Sequence, residues 1–228
     1  MKNLAEQLSR VLPFSVLSKK EIEMLAEDAL LVELNGGEVL FQPGSPSDGI
    51  YFVISGGIKL IQHHPEHKRL ILEFCGPKDI IIEEGHFKNT AHSFEARPIG
   101  SAQVVKISHR VLKKLFDTNP RFVNAWLELV SQKLGWYQKR LEELVFQDVE
   151  ERLAQALIVL AKKFGKRENK GILISVKVTH QDLSDYIAAS RETVSLTLGK
   201  FRRKRLVQTK VRWLIIPDIR ALRKVEEV

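Results

Sequence analysis

A single cysteine, Cys75, stands in 228 residues, so no intrachain disulfide can form, no Cys-based zinc site can be built, and a four-Cys iron–sulfur cluster is excluded. No stretch approaches the roughly 18 uninterrupted apolar residues of a membrane-spanning helix. Met1-Lys2-Asn3-Leu4-Ala5-Glu6 opens without a basic n-region or an apolar h-region; nothing marks export, and a cytoplasmic location away from membranes is expected. A Walker loop, a convincing nucleophile–base set and a carboxylate pair are all missing, so no enzyme is expected. Disorder is excluded as well, because 44% of the residues are hydrophobic and can bury enough surface to offset ordering. The length fits one large domain or two small ones.

The charge is unevenly placed. The formal net charge is +8, yet Glu151 to Val228 carries 18 Lys/Arg against 8 Asp/Glu, while the first 150 residues carry 18 against 20. A near-neutral unit of −2 is joined to a basic unit of +10. Such asymmetry points the second unit at a polyanion, most often nucleic acid; a merely solvated basic face is the plainer alternative.

Leu4, Leu8, Val11 and Leu12, then Ile22, Leu25 and Leu30, give a helical lead-in. From Leu31 to Ile107 short β-type runs (Val39-Leu40-Phe41, Ile50 to Ile54, Ile58 to Ile61, Leu70 to Phe74) alternate with turn signals, among them Gln42 to Gly49 and Ser55-Gly56-Gly57. This pattern predicts a β-sandwich or barrel. His63-His64-Pro65-Glu66-His67 reads as a hairpin tip; without carboxylate or Cys support it is not expected to hold a metal. After Pro120 the period becomes helical. Val123, Leu127, Val130, Leu134, Tyr137, Leu141 and Leu144 alternate steps of four and three, an a/d seam that predicts a two-helix coiled coil and hence a homodimer. Asp148 and Glu151 form a capping-box signature for a new helix from Val149 to about Phe164, so a hinge is placed near Val145 to Asp148. Gly165 to Gly171 reads as a polar loop and Ile172 to Val176 as a strand.

Thr179-His180-Gln181-Asp182 is a further capping box, opening a short helix whose Leu183, Tyr186 and Ile187 face inward. Ala188 and Ala189 follow, and Ser190 caps a second helix, Arg191-Glu192-Thr193-Val194-Ser195-Leu196-Thr197-Leu198. Two short helices joined by a tight turn, the second with polar residues in its first turn, make a helix-turn-helix. Arg191, Glu192 and Ser195 are the candidates for reading base edges. Thr179, His180, Gln181, Ser190, Thr193, Lys200, Arg202, Lys210 and Arg212 are the candidates for phosphates. Leu206 to Ile216 reads as a β-hairpin wing.

Nearly the whole chain resembles the CRP/FNR family of bacterial transcription regulators. Gly37-Glu38-Val39-Leu40-Phe41, Pro43-Gly44 and Tyr51 to Leu60 are similar to the cyclic-nucleotide-binding β-roll; a dimer helix ending in Asp148 to Ala154 is the second anchor; Ser190-Arg191-Glu192-Thr193-Val194 is close to the recognition helix. The resemblance implies an α+β fold: a β-roll sensor over 1–118, a long dimerisation helix and hinge over 119–147, and a winged helix-turn-helix over 148–228. It implies a homodimer on palindromic double-stranded promoter DNA, with RNA polymerase as a partner.

Two departures bear on the effector. Members that bind cAMP use a Gly-Glu-Leu segment and a downstream Arg-Ser pair. Here Ile82 replaces the glycine before Glu83 and Glu84, and Lys88 to Ser93 holds no arginine for a bidentate phosphate clamp. A cyclic nucleotide is therefore disfavoured, leaving an unidentified small-molecule effector or none, with Ile82, Glu83, Glu84, His92 and Ser93 as pocket candidates. No cofactor is expected; haem, through His86 or His92, is the alternative. In the recognition helix Leu196 stands where the family places a second arginine, which predicts relaxed or thymine-tolerant reading at that base pair. A non-specific nucleoid-type protein is the alternative of another class.

Overall fold

The computed structural model describes residues 2–66, 68–82, 90–210 and 213–225. His67, Glu83, Glu84, His86 and Arg212 lie outside them. The lead-in is α1 (Lys2–Leu8), a 3-10 turn and α2 (Lys19–Asp28), the latter started by a Ser18–Glu21 capping box. Leu8, Phe14, Ile22 and Leu25 are buried against Ile50, Phe52 and Val105 of the sheet that follows.

That sheet contains β1 (Leu30–Leu34), β2 (Gly49–His63), β3 (Arg69–Cys75), β4 (Ile80–Ile81) and β5 (Glu95–Ser108), in the antiparallel order β1-β5-β2-β3 with β4 on β2. The α+β architecture is as expected, but two of the roll's strands, β2 and β5, are far longer than any run read from the sequence, and β1 and β5 lie outside those runs. Ser55-Gly56-Gly57 does not separate two strands; it bends one. The β2–β5 register shifts there, Gly56 has φ 74°, and a Cβ on it would meet the Ser101 carbonyl at 2.1 Å. The glycines mark a bulge, which sequence punctuation cannot distinguish from a turn. Val39 to Phe41 likewise forms no strand, only a bridge from Phe41 to Ala96.

Next come α3 (His109–Thr118), α4 (Pro120–Phe146) and α5 (Val149–Phe164). Asn119 caps α4 and Pro120 begins it, a position where its missing N–H costs nothing. The Asp148–Glu151 box starts α5, so the break at Gln147 falls where expected. The first turns of α4 bury Phe122, Ala125 and Trp126 against the roll. Beyond them its apolar stripe faces outward: Leu134 is 58% and Leu141 64% exposed. Tyr137 is 37% exposed on that stripe while its hydroxyl donates to Glu73 of the roll.

The last third holds β6 (Gly165–Glu168), β7 (Gly171–Ile174), α6 (His180–Ile187), α7 (Arg191–Arg203), β8 (Gln208–Lys210), β9 (Trp213–Ile216) and α8 (Ile219–Arg223), its sheet ordered β6-β7-β9-β8. The expected loop at Gly165 to Gly171 is instead the β6–β7 hairpin, whose strands pair along Gly165 to Ile174.

Roll and last third share one core. Ile61, Ile71, Phe74 and Ile99 of the roll pack in the cluster of Leu157, Phe164, Tyr186 and Phe201. Gly57 makes room for this: a Cβ there would stand 2.8 Å from the Phe164 ring. Beneath the contact, buried Glu73 of β3 accepts from Lys133 and Tyr137 of α4 (2.9 and 3.3 Å) and from Lys163 of α5 (3.3 Å), and Lys163 also reaches Asp79 at 2.5 Å. Burial by itself would raise the Glu73 pKa, but the two lysines hold it below the usual carboxylate value. Burial pushes the neighbouring Cys75 thiol well up, leaving it inert.

Removing one member of a buried ion pair leaves an uncompensated charge and costs about 3–5 kcal/mol. Glu73→Ala should lower the unfolding free energy by that order in urea titration, whereas Lys113→Ala, in an exposed pair with Asp117, should change it by less than about 0.5 kcal/mol. Because the folded pKa of Glu73 is depressed, its contribution is present at neutral pH and is lost as pH falls from the ordinary carboxylate range through the folded pKa. Wild type should lose stability over that acid range and Glu73→Gln should lose less.

Candidate nucleic-acid interface

The turn between α6 and α7 is set by local chemistry. Thr179 accepts from the Asp182 N–H at 3.0 Å while Asp182 accepts from the Thr179 N–H at 2.9 Å. Ala188 ends α6 in the left-handed region at φ 51°, and Ser190 caps α7 by accepting from the Thr193 N–H at 3.0 Å. One face of α7 is then pinned: Val194, Thr197, Leu198 and Phe201 are buried.

With 3.6 residues per turn, the opposite face is Glu192, Leu196, Gly199 and Arg203. Arg191, Ser195 and Arg202 lie on the flank toward α6, as the contact between His180 Nδ1 and Ser195 Oγ at 2.8 Å fixes. Lys200 and Lys204 lie on the flank toward α5, where both meet Glu150, at 2.6 and 3.8 Å.

Lys200, nine residues after Arg191 and so half a helical turn out of phase with it, is exposed and paired with Glu150. Arg203, overlooked in the sequence, is exposed in line with Glu192; its i+11 spacing from Glu192 was the available signal. Arg191, Glu192 and Arg202 are exposed. Ser195 is half-buried and donates its hydroxyl to the Arg191 carbonyl at 2.9 Å. Thr179 is committed to its cap, Gln181 donates to Asp185 at 2.6 Å, and the Thr193 and Ser190 hydroxyls meet at 2.9 Å. Lys210, on the wing, faces Glu168 at 3.4 Å.

Electrostatics sharpen the α6 flank. Burial, then Arg202 and Arg191, depress the His180 pKa. Three cationic or protonatable groups thus share one flank, a field suited to a phosphate. Glu192 is held ionised, its pKa lowered by hydrogen bonds from its own N–H and from Ser190. An ionised carboxylate can only accept, as reading a cytosine amino group requires. Gln181 and Ser190 also share an open groove with His63, His64, Lys68 and Arg69 of the β2–β3 hairpin. A carboxylate does lie there, contrary to the sequence reading: Glu95 meets His63 Nε2 at 3.2 Å, but it is also paired with Arg97.

The described effector candidates do not converge. Ile82 packs on the helical side with Ile50 and Phe52, His92 is buried on the other side with its ring stacked on Phe41 at 3.8 Å, and Ser93 is exposed. The roll strand β2 presents alternate residues to opposite clusters, so neighbours in sequence were assigned to one pocket that the pleat divides. Glu73, Cys75 and Asp79 bring three metal-type donors together, but Lys133 and Lys163 already engage the two carboxylates.

Comparison with known proteins agrees with this architecture. Residues 31–119 match the family model of the cyclic nucleotide-binding domain and residues 151–225 that of the Crp-like helix-turn-helix domain. The chain is 26% identical over 213 residues, 93% of its length and 95% of the relative's, to the CRP-like cAMP-activated global transcriptional regulator of Mycobacterium tuberculosis. It is 26% identical over 193 residues, 84% and 81% of the two chains, to the anaerobic regulatory protein of Bacillus subtilis. In fold it is similar to FixK2 from Bradyrhizobium japonicum, with TM-score 0.77 at 18% identity over 87% of this chain and 97% of that one.

Arg203→Ala should flatten the slope of log K against log salt for duplex DNA by about 0.9 for each half-site bound, whereas Lys200→Ala should leave it unchanged. Arg191→Ala should lose discrimination between specific and random duplex while keeping salt-sensitive binding. Competition titrations at two salt concentrations measure all three.

Proposed function

The chain belongs to the CRP/FNR family of transcription regulators, and from that premise we propose that it is a homodimeric, sequence-specific reader of palindromic duplex DNA. The observation that carries this reading is the stripe of exposed Glu192, Leu196 and Arg203 with half-buried Gly199 between them, flanked by Arg191 and Arg202, on a helix whose other face is locked into the core. Arg191 reads guanine, Glu192 accepts from cytosine, and Arg202 with the N-termini of α6 and α7 holds phosphates. RNA polymerase is the partner such a reader serves, and no catalytic step is assigned to the chain. The working division is sensor 1–118, dimer helix and hinge 119–147, reader 148–228.

Dimerisation runs along α4. Leu127, Val130, Leu134 and Leu141 are exposed at a/d spacing, a row of apolar side chains that a second copy of the helix would cover. Tyr137 contributes its ring edge while its hydroxyl stays with Glu73.

The effector is not cAMP. Phe41, Tyr51, His92 and Phe94 pack their rings together in the roll, His92 stacked on Phe41 and the other two tilted against it, which favours action without a ligand or with one outside that cluster. For haem, His92 would have to leave its stack on Phe41 before its ring could ligate iron.

Selection of duplexes from a random pool by the full chain tests the reading. The expected result is an enriched palindrome with half-site centres roughly 34 Å apart, bound by a dimer in sedimentation. Leu134→Glu with Leu141→Glu should give a folded monomer that no longer selects it. Equal binding to all duplexes would instead assign the chain to non-specific nucleoid packing.

A further inference from the structure

The side chain at the centre of the reading stripe is apolar. Leu196 is 71% exposed, one turn beyond Glu192, with Gly199 on the following turn and Arg203 one turn beyond that. Single exposed leucines are ordinary, but this one shares its stripe with Arg203, has Lys200 one turn on, and stands between the α6 flank that carries Arg191 and Arg202 and the α5 flank, on a helix end otherwise built for a polyanion. It also contributes nothing to the core that Val194 and Leu198 anchor. Side chains four apart on a helix lie about 5–6 Å from each other, so residues 192 and 196 address neighbouring base pairs when the helix lies in the major groove.

We propose that Leu196 is a specificity-determining residue that selects thymine through its C5-methyl group, at the pair next to the one read by Glu192. The inference rests on the DNA-reading function proposed above and deepens it from tolerance of thymine to preference for it. In the major groove thymine alone of the four bases presents a methyl group. A leucine against guanine would cover the N7 and O6 acceptors without offering a donor, and an acceptor desolvated without a partner is costly. Against thymine the same leucine buries methyl on methyl. Gly199 leaves open space beside it, since a Cβ there would touch nothing within 4 Å, so the thymine edge can approach the helix without a clash. Because the recognised feature is the methyl group and not the pyrimidine, 5-methylcytosine offers the same surface and unmethylated cytosine does not.

The test is a uracil scan of the selected site with the full-length chain. Each thymine of a half-site is replaced in turn by deoxyuridine, which removes the methyl and leaves base pairing unchanged. Wild type should bind about fourfold more weakly per half-site, the worth of one buried methyl, at the position next to the Glu192 contact. Leu196→Ala, at an exposed position that should not disturb folding, should bind thymine and uracil equally there. Cytosine at that position should bind weakly and 5-methylcytosine should recover about the same fourfold.

A wild-type protein that selects a site but shows no uracil-sensitive position, or a Leu196→Ala variant that keeps the sensitivity, overturns the thymine assignment and leaves the DNA-reading function standing. A chain that selects no site at all overturns that function, and this inference with it.

Discussion

The carboxylate of Glu73 is the point from which the arrangement hangs. It is supplied by the roll, neutralised by Lys133 and hydrogen-bonded by Tyr137 of the long helix, and neutralised again by Lys163 of the reader. A buried ion pair adds little net stability over a well-packed apolar cluster, but losing any one partner is expensive. What the junction supplies is therefore geometry: three segments must sit in one relative position for its charges to balance. The apolar cluster around Phe74, Phe164 and Tyr186 supplies the bulk of the burial at the same seam.

Around this centre, three further contacts that orient the reader converge on α6. Arg140 of α4 is buried with its guanidinium 4.0 Å over the Tyr186 ring and bonded to the Tyr186 carbonyl. Lys59 of β2 meets Asp182 at 2.5 Å, and Arg69 of β3 meets Asp185 at 3.2 Å. Asp182 is at once the capping residue of α6 and the roll's ionic partner. A shift of the β2–β3 hairpin thus reaches the first turn of α6 directly, and α6 joins α7 through the short turn at Ala188 and Ala189, the latter packed on the shared core. The reading face is exposed because the opposite face has been taken by the core.

Much of this was legible in the sequence, and the failures have specific physical causes. The capping boxes at Asp148 and Thr179, the helix break at Gln147, the a/d stripe and the two helices of the reader follow from short-range rules, and those rules apply wherever the residues stand. The bulge at Gly56, the β6–β7 hairpin and the junction at Glu73 depend on partners up to 90 residues away, which spacing does not reveal. Lys200 shows the same limit in miniature. Its charge and its place in a basic helix suggested a phosphate contact, while its pairing with Glu150, 50 residues earlier, could not be read there. Ile82, His92 and Ser93 were grouped by proximity in sequence and parted by the two faces of a sheet.

The central claim is that roll and reader form one cooperative unit through a shared core. Native-state hydrogen exchange across a urea series reads this directly, comparing amides of β5 with those of α5 and α7. If the account is right, the slowest amides of both sets open with the same free energy and the same urea dependence. If α5 and α7 open at a lower free energy with a smaller urea dependence, while β5 stays protected, the two units are separate and the account is contradicted.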